Sequence, residues 1–171
     1  MNIRNRITGE GVADPADLLA HPQNYRIHPD SQQAPVLAAL DTLGWVQRII
    51  VNERTGHVID GHLRVLLALR RNEPQIPVLY VDLDPDEEAA ALASLDTITG
   101  MAQGNAYVFE QLLQGLKVSE PELLQFLDNL ARELGIVPGE EPEKDFSDGA
   151  EVDPEDFDLA HCCPECDFRF N

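Results

Sequence analysis

Four residues within VIDGHLRVLLALRR, positions 58 to 71, are of types that hold or transfer a charged group: Asp60, Gly61, His62 and Arg64. An apolar strand end, Val58-Ile59, runs into them and a leucine-rich segment follows, so they stand where a helix begins. The N-terminus of a helix presents unpaired N–H groups and about half a positive charge, which suits an anion. Gly61 lets a ligand approach the backbone, and the first-turn side chains of His62 and Arg64 can flank an anion on the helix axis. A phosphate satisfies all of them. Asp60 repels it unless it caps the helix, orients His62, or holds a divalent metal against the phosphate oxygens. An enzymatic reading makes Asp60 a metal ligand and His62 a general acid or base. A plainer reading makes Asp60 an N-cap, Gly61 a turn residue, and His62 and Arg64 solvated first-turn side chains. Spacing alone leaves these alternatives open.

A second group closes the chain, in HCCPECDFRFN. Cys163 and Cys166 form half of a zinc knuckle and supply two thiolates, whereas tetrahedral zinc takes four ligands. His161 or Cys162 completes the set locally, or a second chain shares the ion, which would make a homodimer. A dithiol kept reduced in the cytosol and a vestigial knuckle are the alternatives.

The elements that must position the first group follow from pattern. HPQNYRIHPD, 21 to 30, with two prolines, is a loop, and DPADLLA, 14 to 20, is a short helix or an edge strand. Asp30 or Ser31 caps a helix with Val36, Leu37, Leu40 and Leu43 at helical spacing, stopped by Gly44. RIIVNE and HVID, separated by RTG, pair as a hairpin. IPVLYVDL, 76 to 83, is a largely buried strand. Asp84-Pro85-Asp86-Glu87 is a capping-box helix start, and Ser119-Glu120-Pro121-Glu122 repeats its logic. Residues 105–134 read as a helical hairpin, with Leu123, Leu127, Leu130 and Leu134 on one stripe, packed on the sheet or on a partner. Trp45 anchors the core. His57 starts a strand and is solvated, while His28 is either a surface residue or a neighbour of Arg26 at the phosphate.

Composition bounds the function. At 171 residues and 43% apolar, the chain supports one main domain with extensions. No apolar run nears the roughly 18 residues of a membrane span, and the N-terminus lacks a signal-peptide core, so a cytoplasmic protein without membrane contact is expected. The net charge of −19 is uneven. Residues 1–80 balance eight arginines against eight acidic residues, and the excess of acid lies in the second half. With a pI near 4.3 the chain has no basic surface for unaided duplex binding. The arrangement is an α+β domain over 1–100, a helical extension over 101–136, an acidic disordered linker over 137–160 and a zinc-knuckle-like end over 161–171.

The succession HPQNYRIHPD, helix, GWVQRIIVN, VIDGHLRVLLAL and IPVLYVDLDPDEEAAALASLD resembles the ParB/sulfiredoxin superfamily, in particular ParB-like nuclease-domain proteins found near phage and mobile-element DNA methyltransferases. The resemblance spans about residues 12–100. It implies a small mixed sheet flanked by helices and a site for a nucleoside triphosphate, CTP or ATP, with Mg²⁺. It places Arg26, Gly44, Gln47, Gly61 and Arg64 around the phosphates, with His62 beside them at the helix start, and DNA is then met through a partner such as a methyltransferase. Chromosome-partitioning members carry Gly-Glu-Arg-Arg where this chain has Gly61-His62-Leu63-Arg64, and the later Glu-Asn-x-x-Arg metal motif has no counterpart here. Sulfiredoxin chemistry lacks its cysteine. The free-serine kinases share Asp-Gly-His-x-Arg at 60–64, but Gln23 and Asn24 stand where their early-loop glutamate is expected. The resulting function is a triphosphate-binding module in a phage or mobile-element DNA transaction. A metal-dependent nuclease or phosphotransferase and a nonenzymatic acidic adaptor are the alternatives. At this level Arg64→Ala and Gly61→Val are both expected to weaken triphosphate binding with the fold retained.

Overall fold

A computed structural model describes residues 3–136 and, as backbone, residues 161–162 and 169–170. The linker 137–160 and the cysteines Cys163 and Cys166 lie outside the described residues. His161–Cys162 and Arg169–Phe170 pair as two antiparallel strands.

Five strands form one mixed sheet: β1 (Ile7–Ala13), β2 (Leu19–Ala20), β3 (Ile49–Asn52), β4 (His57–Asp60) and β5 (Ile76–Val81), in the spatial order β1-β5-β3-β4-β2. The helices are α1 (Asp30–Leu43), α2 (His62–Arg71), α3 (Pro85–Thr99), α4 (Ala106–Gln114) and α5 (Pro121–Glu133). This is the α+β mixed sheet with helices that the resemblance implies. The hairpin forms as β3 and β4, antiparallel, with Val51 opposite Val58. β5 lies parallel to β3, with Ile49 opposite Val78, and β4 with α2 supplies the long connection that a parallel pair needs. Segment 14–20 supplies both of its alternatives, a 3₁₀ turn at Pro15–Asp17 and then the edge strand β2, parallel to β4.

Ile49, Val51, Val58, Ile76 and Val78 from the sheet and Val65 and Ala68 from α2 make one buried cluster, with Trp45 packed against it. Each such aliphatic side chain contributes about 1.5–3 kcal/mol by leaving water. Asn52 is fully buried at the end of β3. Its amide donates to the Leu83 carbonyl, and its carbonyl oxygen accepts from the Leu83 N–H, both at 3.1 Å. That exchange fixes the connection into α3. α3 then starts as the sequence indicates: Asp84 accepts from the Glu87 N–H at 2.9 Å, and Glu87 accepts from the Asp84 N–H at 3.1 Å.

Three local details differ from expectation. Pro29, not Asp30 or Ser31, occupies the α1 N-cap, with no side-chain cap bond. Glu120 likewise caps α5 without a side-chain bond. Among the described residues the helical hairpin packs mainly through α5 onto α1, where the sheet or a partner was expected.

Candidate functional site

One cleft of about 310 Å³ gathers Arg26, Gly44, Gln47, Gly61 and Arg64, which the resemblance placed around a triphosphate, with His62, which the helix start suggested. They come from the loop before α1, the stop of α1, the turn into β3 and the start of α2. Apolar side chains of α1, among them Val36, Leu40 and Leu43, form the opposite wall with Val46. The volume falls at the low end of the range of small-molecule pockets, about 300–1,000 Å³, and a mainly apolar wall facing a few convergent polar groups is their usual make-up.

Local backbone chemistry builds the polar wall. Gly44 ends α1 at a φ of 71°, its N–H bonded to the Leu40 carbonyl. Gly61 is the N-cap of α2 at a φ of 95°, in the left-handed region, and no side chain caps the first turn. A cap by Asp60 is therefore not what the structure shows. Asp60 is the last residue of β4, and its Oδ2 accepts from Arg64 Nη2 at 2.8 Å. Arg64 Nη1 in turn donates to Gln47 Oε1 at 2.6 Å. The guanidinium, only 14% exposed, is thus held from two sides at the mouth of the helix. Asp60 thus orients the arginine and offsets its charge.

Arg26 approaches from the other side. Its guanidinium donates to the Leu92 carbonyl at 3.1 Å and pairs with Asp96 at 2.9 Å, both on α3. His28 lines the same cleft, with Nδ1 2.9 Å from Gln32 Oε1. His28 is thus partly exposed and at the same time lines the cleft with Arg26. Asp96 was not legible as a member, because it lies seventy positions from Arg26 with no motif linking them.

His62 Nε2 accepts the backbone N–H of His21 at 3.3 Å. In the neutral ring that leaves Nδ1 as the donor. Burial, followed by the positive Arg26 and the neighbouring histidines His21 and His28, lowers the His62 pKa from 6.5 to about 4. At neutral pH the ring is uncharged and offers a proton to hydrogen bonding without carrying a cation. Because the folded chain holds this proton less tightly than the unfolded chain, the associated stability is complete above about pH 6.5 and is lost as pH falls toward about 4. Urea midpoints are therefore expected to fall over that window, and His62→Gln should flatten the decline. An equally steep decline in the variant would assign it to other groups.

Gly61 changes one expectation. A Cβ built there meets Ile49 Cδ1 at 2.6 Å, and the φ of 95° is itself unfavourable for any side chain. Ile49 is fully buried, so Gly61→Val disturbs the core as well as the cleft. It is not a variant that spares the fold.

Three further residues with chemistry converge behind the cleft: His21, His57 and Glu88. The carboxylate of Glu88 accepts from Thr55 Oγ1 at 2.8 Å and lies 3.2 Å from His57 Nδ1. His57, expected to be solvated, is half-buried by this contact. Positions 21, 57 and 88 carry no spacing signal, so nothing in the pattern announced their meeting.

No family model matches the chain, and no curated protein matches it. Among solved structures it is similar to the C-terminally truncated chromosome-partitioning protein ParB from Caulobacter crescentus complexed with CTP-γ-S, at 19% identity over 62% of this chain and 60% of that chain, with a TM-score of 0.49. It is also similar to a pNOB8-like ParB N-domain, at 17% identity over 79% of this chain and 47% of that chain, with a TM-score of 0.47. The Caulobacter protein complexed to the centromeric parS site is similar at 16% identity over 73% of this chain and 68% of that chain, with a TM-score of 0.40. The chain spans 60% of the first of these proteins and about half of the second. Its α+β assignment rests on its own sheet order, and the chemistry of its cleft on its own side chains.

Proposed function

We propose that the chain is a ParB-like module that binds a nucleoside triphosphate, CTP or ATP, with Mg²⁺ in the cleft at the start of α2. It would serve a phage or mobile-element DNA transaction, such as modification or partition, through a protein partner such as a methyltransferase. The observation that carries this reading is the convergence of Arg26, Gln47, Gly61, His62 and Arg64 on one cleft whose opposite wall is apolar. Uncapped first-turn amides and two guanidiniums suit a polyphosphate, and the α1 wall suits the flat face of a base. Asp60 and His62 act as positioning groups. One oxygen of Asp60 is engaged by Arg64, and one nitrogen of His62 by the His21 amide, which favours binding over general acid–base work. At the tail, zinc held by Cys163 and Cys166 with His161, Cys162 or a second chain is a separate proposal.

A thermal-shift screen of CTP, ATP, GTP and UTP with Mg²⁺ tests the reading. A ligand at one hundred times its Kd stabilises the folded state by about 2.7 kcal/mol, and a stabilising triphosphate is the expected result. No shift with any of the four would count against the proposal.

The DNA role is expected to be indirect. Twelve basic residues stand against 31 acidic ones. Neutralising many phosphates is what holds a protein on duplex DNA at physiological salt. The purified chain should therefore not retain random duplex at about 150 mM salt. Submicromolar retention in a filter or anisotropy assay would revive direct binding.

A further inference from the structure

The side chains of His21, His57 and Glu88 do not line the cleft, and nothing in the nucleotide reading uses them. Its members come from three elements: the loop after β2, the start of β4 and the first turns of α3. Their donor atoms all lie within 4.8 Å of one another. Glu88 Oε1 is 3.2 Å from His57 Nδ1 and 3.5 Å from His21 Nε2. For nitrogen and oxygen ligands at about 2.0–2.1 Å from a tetrahedral zinc ion, neighbouring ligand atoms are about 3.3 Å apart. Two edges of such a coordination face are therefore near their required length.

Burial argues in the same direction. The side chains of His21 and Glu88 are 7% and 6% exposed, whereas that of His57 is 27% exposed. A carboxylate so enclosed is costly unless charge and hydrogen bonds compensate it. Burial alone would raise the Glu88 pKa. The hydrogen bonds from Thr55, Asn52 and His57 outweigh it and hold the group below its ordinary value. An ionised carboxylate braced by a hydroxyl is the form in which a ligand meets a metal. The exposed edge of His57 gives an ion and a water ligand their way in.

We propose that His21, His57 and Glu88 form a site for one divalent transition-metal ion, Zn²⁺ or an ion of similar ligand preference, whose binding resets the loop beside the cleft. The second part follows from the tautomer of His21. Its Nδ1 accepts the Gln23 N–H at 3.1 Å, whereas an imidazole bound to metal through Nε2 carries its proton on Nδ1. Two N–H groups cannot face one another, so coordination turns the Pro22-Gln23 peptide and lets its carbonyl accept the Nδ1 proton. That loop leads to Arg26, and the His21 backbone N–H is the donor to His62. Metal occupancy is thereby joined to the cleft through two hydrogen bonds.

The test uses the full chain, without a histidine tag, with Cys162, Cys163 and Cys166 changed to serine so that the tail thiolates cannot compete. Equilibrium dialysis against Zn²⁺ should give about one equivalent per chain. In that background His57→Ala and Glu88→Gln should each weaken binding at least tenfold. His57 is the most exposed of the three and supplies the variant expected to keep its fold, checked by circular dichroism. Zn²⁺ should also change the amide exchange of Gln23 in the parent and not in His57→Ala. No zinc in the serine parent, or unchanged affinity in a folded His57→Ala protein, would overturn the site and leave the cluster a hydrogen-bonded network. Zinc bound with Gln23 exchange unaltered would overturn the coupling to the loop. None of these outcomes depends on whether the cleft takes a nucleotide.

Discussion

Arg64→Ala is expected to lower triphosphate affinity tenfold or more while the domain stays folded. The guanidinium is aimed by Asp60 and Gln47 at the mouth of α2, where the first-turn amides also point. Losing a charge-assisted, forked contact to phosphate costs roughly 1.5–3 kcal/mol, and about 1.4 kcal/mol is a factor of ten. Arg64 belongs to no part of the buried cluster, so its loss spares the core. Arg64→Lys should fall between the two, since lysine keeps the charge and loses the planar fork. Asp60→Asn separates aiming from charge: if Asp60 orients Arg64, affinity falls even though a negative charge has been removed from an anion site. Isothermal titration of the three variants checks the order. A gain in affinity for Asp60→Asn would show that charge repulsion outweighs orientation.

Gly61→Val is expected to have the largest effect on stability, roughly 2–5 kcal/mol, from a left-handed backbone that valine resists and from overpacking of the core. The φ of 95° supplies the first contribution and the 2.6 Å approach to Ile49 Cδ1 the second. Gly61→Ala meets the same atom with a smaller side chain and should lose less. Urea unfolding measures both. A Gly61→Val midpoint within error of the parent would mean that β3 and α2 can part without cost, against the packing described. Because the substitution acts on the fold, loss of nucleotide binding in it would say nothing about phosphate, and Arg64→Ala is the sharper probe.

The legible parts of the fold are those with local causes. Asp84, Pro85 and Glu87 form a complete capping box within four residues, and the α3 start was readable to the residue. β3 and β4 are β-branched apolar runs on either side of a turn at Gly56, so their pairing was readable too. β1 was not. Its sequence ITGEGVA has two glycines and a charged residue, its side chains are mostly exposed, and what holds it is backbone pairing to β5. An edge strand fixed by its neighbour's hydrogen bonds leaves little trace in side-chain pattern.

The site divides in the same way. Gly61, His62 and Arg64 are contiguous with a helix start, and that physical reason made them visible. Arg26, Gly44 and Gln47 entered through resemblance, and the cleft shows them beside the helix start. The role of Asp60 was open among capping, orienting His62 and metal binding. The structure gives a fourth answer, a pair with Arg64 four residues on, which depends on the β4-to-α2 turn angle. The cluster behind the cleft depends on three elements meeting, and no window of sequence contains it.

The central claim is that the cleft at the start of α2 binds a nucleoside triphosphate, and hydrogen exchange of the full chain with and without saturating triphosphate and Mg²⁺ tests it most directly. Protection of the backbone amides of His62 to Arg64, together with the loop around Arg26 and His28, is the predicted result. Binding that protects other segments and leaves these amides unchanged, or no protection at any triphosphate concentration, would contradict it.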